Sequence, residues 1–300
     1  MGYNKLIKNV RGSKMKKLFG GINLTWPKVI IGAVIAGVVT AVFAIVPIFL
    51  NTSFHTITVT FEVWILFGIF IIMNSKSNLD SALKCFVFFL ISQPLVYLIQ
   101  VPFSSMGWGL FGYYGYWFIW TLLCFPMGFV GYYMKKDKWW GYLILLPMIV
   151  LTGMSYMNYF SDCQFSFPRY LLITLFCAAA MILYPVCIFR DKRIRITGAV
   201  IGAVAVAVIT VICLLNPPVY SVELITNTEG HPLDDTYTVA FEDSSYGDIG
   251  IIYIDQWEDY AVHADLKKAG QTSFTLKAPD GKTREFGLTI ERDTYEVTEK

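Results

Sequence analysis

Charge is the scarcest property of this sequence. Asp, Glu, Lys and Arg make up 15% of its 300 residues, against about 25% in an ordinary soluble domain. That excludes a cytosolic enzyme with a wetted surface. Histidine is rarer still: His55, His231 and His263 are the only three, and all fall outside the stretches read below as membrane spans. Intramembrane chemistry by a Ser/His pair or a His/Glu metal set is excluded with it. Of the six cysteines, Cys124, Cys177, Cys187 and Cys213 lie in those stretches, Cys85 borders one, and only Cys163 falls in an outer loop. No exported pair exists, so no disulfide framework can form, which fits a bacterial envelope protein without disulfides. What remains is apolar: 55% hydrophobic and 16% aromatic, with a mean hydropathy of +0.54. The expected class is an integral membrane protein without catalytic activity, cofactor, resident metal or nucleic-acid partner.

The net charge of +2 hides a split. Up to Leu215 there are 17 basic residues against 5 acidic; from Asn216 to Lys300 there are 7 against 17. A basic apolar part and an acidic tail belong in different surroundings. Three regions follow: a basic cytoplasmic segment over 1–28, a transmembrane domain over 29–215, and an extracytoplasmic β domain over 216–300.

Seven apolar runs read as membrane spans: Val29–Leu50, Ile57–Met73, Phe86–Phe103, Tyr116–Met134, Trp139–Met157, Tyr170–Phe189 and Ile196–Leu215. About 20 helical residues cover a hydrocarbon core of roughly 30 Å, and the second run is the shortest. The N-terminal segment and the loops after spans two, four and six hold 16 basic residues, the remaining loops only Arg169. The positive-inside rule then puts the N-terminus in the cytoplasm of a cell membrane, and seven crossings put the tail outside. No A-x-A site follows the first run, so it reads as an uncleaved helix rather than a signal peptide. Leu6, Ile7, Val10, Leu18 and Phe19 among the lysines before it fit an interfacial helix on anionic lipid. A tail that only sets topology is the equal alternative.

One acidic or basic side chain (Asp, Glu, Lys, Arg or His) lies in the spans, Glu62, near the outer end of the second. Buried charges in a bilayer mark function, but so close to an end the side chain is expected to snorkel to the interface. On the third span Gln93, Tyr97 and Gln100 share one helix face, and Pro94 and Pro102 interrupt the hydrogen-bond ladder. The face reads as interhelical hydrogen bonding or, alternatively, as the lining of a site for an uncharged solute. Small residues recur at four-residue spacing, Ala33/Gly37/Ala41, Gly198/Gly202 and Ala199/Ala203/Ala207, which suits close helix packing. The string from Gly107 to Gly112 matches G-x-G-x-x-G literally, yet it follows a membrane helix rather than a strand and has no acidic residue about 20 positions on. Its content is aromatic: Trp108, Phe111, Tyr113, Tyr114, Tyr116, Trp117 and Trp120 form an interfacial belt.

Asn216-Pro217-Pro218 ends the last span, and period-two alternation takes over. Tyr220/Val222/Leu224, Tyr237/Val239/Phe241, Ile249–Ile254, Tyr260–Leu266, Phe274/Leu276 and Phe286/Leu288/Ile290 read as half-buried strands. Asn227–Gly230 and Pro279-Asp280-Gly281-Lys282 supply turns. Six or seven strands in so short a tail argue a small antiparallel sandwich. The acids Glu242, Asp243, Asp248, Asp255, Glu258 and Asp259 match no EF-hand spacing and read as a solvated face. The stretch Lys267-Lys-Ala-Gly-Gln-Thr-Ser-Phe-Thr-Leu-Lys-Ala-Pro-Asp-Gly-Lys-Thr-Arg-Glu-Phe-Gly-Leu-Thr-Ile290 resembles the closing hairpin of bacterial immunoglobulin-like domains. The resemblance implies an immunoglobulin-like sandwich, a display or adhesion role, and no catalytic residues. The expected protein is a multi-pass helical bundle in the lipid bilayer that displays this module to an extracytoplasmic protein or cell-wall partner. The alternative is a transporter, or transporter subunit, with an uncharged solute near Gln93, Tyr97, Gln100 and Glu62.

Overall fold

Trp26-Pro27 opens the first helix, since the fixed φ of proline suits a first turn and its missing N–H is not needed there. In the computed structural model, which describes residues 18–49, 52–58, 60–226, 233–255, 258–291 and 294–300, eight α-helices precede seven strands among those residues. They are α1 (Trp26–Ile45), α2 (Ser53–Thr58), α3 (Glu62–Asn74), α4 (Asn78–Gln100), α5 (Phe111–Gly131), α6 (Trp139–Phe165), α7 (Leu171–Ile188) and α8 (Lys192–Leu215). Six are long and apolar enough to cross a membrane. Ile31, Ile35, Val200 and Val204 are all more than half exposed, as the outer faces of a multi-pass membrane protein must be.

The second expected span needs correction. The run from Ile57 is interrupted between α2 and α3, and α3 has only 13 residues, about 20 Å of helix against a core of roughly 30 Å. The cause is local: Thr56-Ile57-Thr58-Val59-Thr60 is a run of β-branched residues, which restrict χ1 and lower helix propensity. The interfacial-helix reading for the N-terminal segment falls mainly on residues 1–17, outside the described residues.

Contacts within the helical unit, up to Tyr156 and from Leu172 to Ile209, tie helix ends together at its basic end. The Asn74 side chain accepts from the N–H groups of Gly20 (3.1 Å) and Ile22 (2.9 Å) and donates to the Leu18 carbonyl (2.8 Å). Helix α4 starts at Asn78, eight residues before the expected span, with the Ser77 hydroxyl capping Asp80 N–H. It thereby includes Lys84, buried at 2% exposure. Lys84 Nζ donates to the Leu24 carbonyl and to Asp80, both at 2.7 Å, so the buried charge is paired. Tyr132 Oη donates to the Lys76 carbonyl at 2.7 Å, and Asp137 accepts from the Arg190 N–H. On α1, Ala33, Gly37 and Ala41 are buried, and a Cβ on Gly37 would sit 2.9 Å from the Ser92 carbonyl. That stripe seats α1 on α4. Gly198 and Gly202 are likewise buried, whereas Ala203 and Ala207 are exposed.

The second unit comprises Met157–Leu171 and Thr210–Lys300. Its strands are β1 (Tyr220–Thr226), β2 (Thr238–Phe241), β3 (Gly247–Ile254), β4 (Asp259–Leu266), β5 (Gly270–Lys277), β6 (Thr283–Ile290) and β7 (Tyr295–Glu299). They form two antiparallel sheets, ordered β1-β4-β3 and β2-β5-β6-β7. One core takes Val222, Leu224, Val262 and Leu266 from the first sheet and Phe274, Leu276, Phe286, Leu288 and Ile290 from the second. The alternation read from sequence is therefore the core pattern. The expected turn over Asn227–Gly230 lies outside the described residues. One further core member is a helical residue, Phe165, at the end of α6. Its carbonyl accepts from the Ala269 N–H at 2.8 Å.

Four aspartates of this unit are held below the ordinary carboxylate value of 3.8. The causes are hydrogen bonds from the Thr236 hydroxyl to Asp234, from Ser245 to Asp243 and from the Ser221 hydroxyl to Asp265, and from the Lys282 N–H to Asp280. A depressed carboxylate contributes stability that is present above the unfolded value and lost as pH falls through the folded one. The urea midpoint of the β unit, read from tyrosine near-ultraviolet circular dichroism of the full-length protein, is expected to be flat from pH 7 to about 5 and to drop below about 4. An equal midpoint at pH 3 and pH 7 would show that these bonds persist in the unfolded chain.

Candidate functional site

Glu62 is the first residue of α3 and is 1% exposed. It does not snorkel: the short helix starts inside the bundle, and packing closes over the side chain. Its Oε2 has no hydrogen-bond partner. Cys177 and Tyr184 of α7 are buried as well. Both are on the buried face of α7 that also carries Thr174 and Met181, positions spaced so as to recur on one side of a helix. The Tyr184 hydroxyl is buried and unpartnered, as is Thr60 Oγ1, two residues before Glu62.

The polar face of α4 is not assembled into one cavity. Gln93 is buried at 4% exposure with its Nε2 unpartnered, and it lines a cavity of about 100 Å³. Apart from Thr121 the other walls are apolar or aromatic, among them Phe61, Trp64, Phe89, Trp117 and Trp120. Tyr97 instead packs its ring against Phe111 and Tyr114, at 6.2 and 6.1 Å between centroids. Gln100 donates to the Val96 carbonyl of its own helix at 3.0 Å. Pro94 sits within the continuous α4. The polar groups thus serve three different local purposes, and the cavity beside Gln93 is lined mainly by apolar and aromatic side chains.

The glycine-rich string forms a short 3-10 turn over Gly107–Leu110 that leads into a helix, with no strand before it. Trp108, Tyr113 and Tyr116 are more than half exposed, the exposure an interfacial belt requires. At the basic end Lys136 Nζ lies 4.9 Å from the Tyr133 ring and 5.9 Å from that of Trp140.

In the β unit the acids are engaged singly. Glu242 accepts from the Ser273 hydroxyl, Asp243 lies 3.7 Å from Lys268, and Asp248 pairs with Lys267 at 2.7 Å. His263 lies between Glu223 (3.7 Å) and Asp265 (3.5 Å) on β4 and its neighbour β1. Among the described residues no group of three His, Cys, Asp or Glu side chains is placed to hold a metal ion.

Sequence reasoning named Glu62 and Gln93 but missed Tyr184, Lys84 and Phe165. Tyr184 follows Thr174 and Cys177 at ten and seven residues, a helical spacing that was available to be read. Lys84 lay just before the expected span, where a basic residue reads as a loop charge. No protein family, no characterised protein and no solved structure matches this chain. The tail therefore stands as an all-β module of two antiparallel sheets, with no family to lend it a role.

Proposed function

We propose that this chain is a non-catalytic multi-pass protein of the cell membrane that presents its β module outside the cytoplasm for interaction with a protein or cell-wall partner. The observation that carries this reading is Phe165: a residue of a membrane helix is a buried part of the β core. The end of α6, from Met157 to Phe165, is thus part of the same compact unit as the strands. Seven crossings are retained, with α2 and α3 sharing the second. Asn74, the last residue of α3, accepts from the Ile22 N–H, four residues before α1 begins, which supports a chain that returns across the membrane between them. The gathering of Lys28, Lys76, Lys135, Lys136, Arg190 and Lys192 at helix ends supports a cytoplasmic N-terminus. The likeness of the last hairpin to immunoglobulin-like domains supports an adhesive role.

Orientation is the testable premise. In a Cys163→Ser background, a cysteine introduced at the exposed Ser244 is expected to react with a membrane-impermeant maleimide on intact cells. The other five cysteines are buried or half-buried and serve as the internal blank. Reaction at position 244 only after permeabilisation would place the module inside and end the display reading.

A further inference from the structure

A cavity of about 280 Å³ lies at the basic end of the helical unit, where the end of α3, the turn between α5 and α6 and the end of α7 meet the chain before α1. Its walls include Gly20, Met73, Lys135, Asp137, Ile188 and Arg190. At roughly 30 Å³ per water, that is far more room than one ordered water fills. Two cations from separate parts of the chain thus border one void. Neither is fully engaged by the protein. Lys135 Nζ donates to the Ser75 carbonyl at 2.5 Å and lies 4.6 Å from the Tyr132 ring, which leaves it with further N–H groups to donate. The Arg190 guanidinium has no acceptor among the described residues; only the Arg190 main-chain N–H is bonded, to Asp137 Oδ1. That bond turns one oxygen of Asp137, the one acid in the described wall, toward the main chain. The wall keeps more positive than negative charge.

We propose that this cavity binds a phosphate group, held between Lys135 and Arg190. Arginine presents a planar fork that takes two oxygens of one phosphate, and lysine acts on it as a point charge. A carboxylate has two oxygens, and the fork alone engages both; phosphate carries further oxygens for the ammonium of the other wall. A cation is repelled by the same pair. The position in the fold supports the same chemistry. The cavity lies among helix ends, and Trp139 and Trp140, just after Asp137 in the chain, are exposed, as tryptophans at the headgroup level of a bilayer are. Phosphate at that level comes from a lipid headgroup or from a soluble phosphate ester, and both present the same oxygens. Bound there, it would tie the α5–α6 turn to the end of α7, beside the Asp137 bond that already joins them. All of these residues belong to the helical unit, so the site stands independently of the role proposed for the β module.

The test uses the full-length protein, freed of phospholipid in maltoside detergent, with the Tm followed by tryptophan fluorescence at constant ionic strength. The probes are inorganic phosphate, glycerol 3-phosphate and a short-chain phosphatidylglycerol. The controls are chloride and the matching diacylglycerol, which lacks the phosphate. At least one phosphate probe is expected to raise the Tm by several degrees and to saturate. Saturation by the soluble phosphates identifies a soluble ester as the ligand; a rise with phosphatidylglycerol alone identifies a lipid headgroup. In Arg190→Gln the half-saturating concentration is expected to rise on the order of tenfold, as loss of a bond to a charged group does. Arg190→Glu is expected to abolish the effect. Because the guanidinium has no acceptor among the described residues, both variants without a probe are expected to keep a Tm near that of the wild type. Lys138→Gln removes an exposed charge from the same turn, outside the cavity, and is expected to leave the dependence intact. A wild-type Tm that no phosphate probe moves beyond chloride and diacylglycerol overturns the proposal. So does a rise that persists undiminished in Arg190→Gln, or one that Lys138→Gln weakens as much, which would make it an effect of the basic surface as a whole.

Discussion

Replacing Phe165 by alanine is expected to destabilise the β unit by about 3–5 kcal/mol, the range for truncating a buried phenylalanine. The ring is 5% exposed within the shared core of the two sheets, so the substitution removes a large apolar surface and leaves a cavity between groups fixed by their own strands. The main-chain bond from Ala269 to the Phe165 carbonyl survives the change, which isolates the side-chain contribution. Phe165→Leu keeps much of the volume and is expected to cost far less. Pulse proteolysis of the full-length protein in urea measures both, with cleavage sites inside 218–300 reporting on this unit. A Phe165→Ala midpoint within about 0.5 kcal/mol of the wild type, the scatter of an ordinary surface change, would mean that the helix end merely rests beside the sheets. The same argument reaches the isolated segment 218–300. Without Phe165 it exposes one end of its core, so it is expected to unfold at lower urea than the same strands in the whole protein.

The two periodicities carried most of what could be read in advance. Strands β5 and β6 were legible because Phe274/Leu276 and Phe286/Leu288/Ile290 alternate strictly, and a period of two leaves little choice of face. The long spans were legible because 20 apolar residues have few other uses. Phe165 was not, because it follows the polar stretch Asn158–Gln164, interrupted by Tyr159, Phe160 and Cys163, and nothing local distinguishes a loop aromatic from a core member supplied across 57 to 125 residues of chain. The burial of Glu62 was hidden for a related reason. Hydropathy measures how apolar a run is but not where a helix starts within the bundle, and α3 starts only at Glu62. The residues of the stripe Gln93/Tyr97/Gln100 do lie on one helix, but which neighbour each side chain meets is set by the other helices.

Gly202→Leu is expected to prevent α8 from docking on α7. A Cβ at position 202 would fall 2.4 Å from the Met181 carbonyl oxygen and 2.9 Å from its carbon. These are backbone atoms, so no rotamer change can relieve the overlap and the helices must separate. Small residues permit such close approach where no hydrophobic effect drives helices together in lipid. Overpacking ordinarily costs about 1–3 kcal/mol, and here the rigid partner places the effect at or above the upper end. Gly202→Ala tests the first atom of the clash, and Val200→Leu is the control, because Val200 on the same helix is 55% exposed and meets lipid. Size-exclusion yield and Tm in detergent are expected to fall steeply for Gly202→Leu, to fall for Gly202→Ala, and to stay put for Val200→Leu. Since Met181 already fills the approach to Gly202 within one molecule, that glycine is not free to serve a dimer interface. If Gly202→Leu keeps the wild-type Tm but loses a cross-linked dimer, α8 pairs with a second copy and the packing against α7 is wrong.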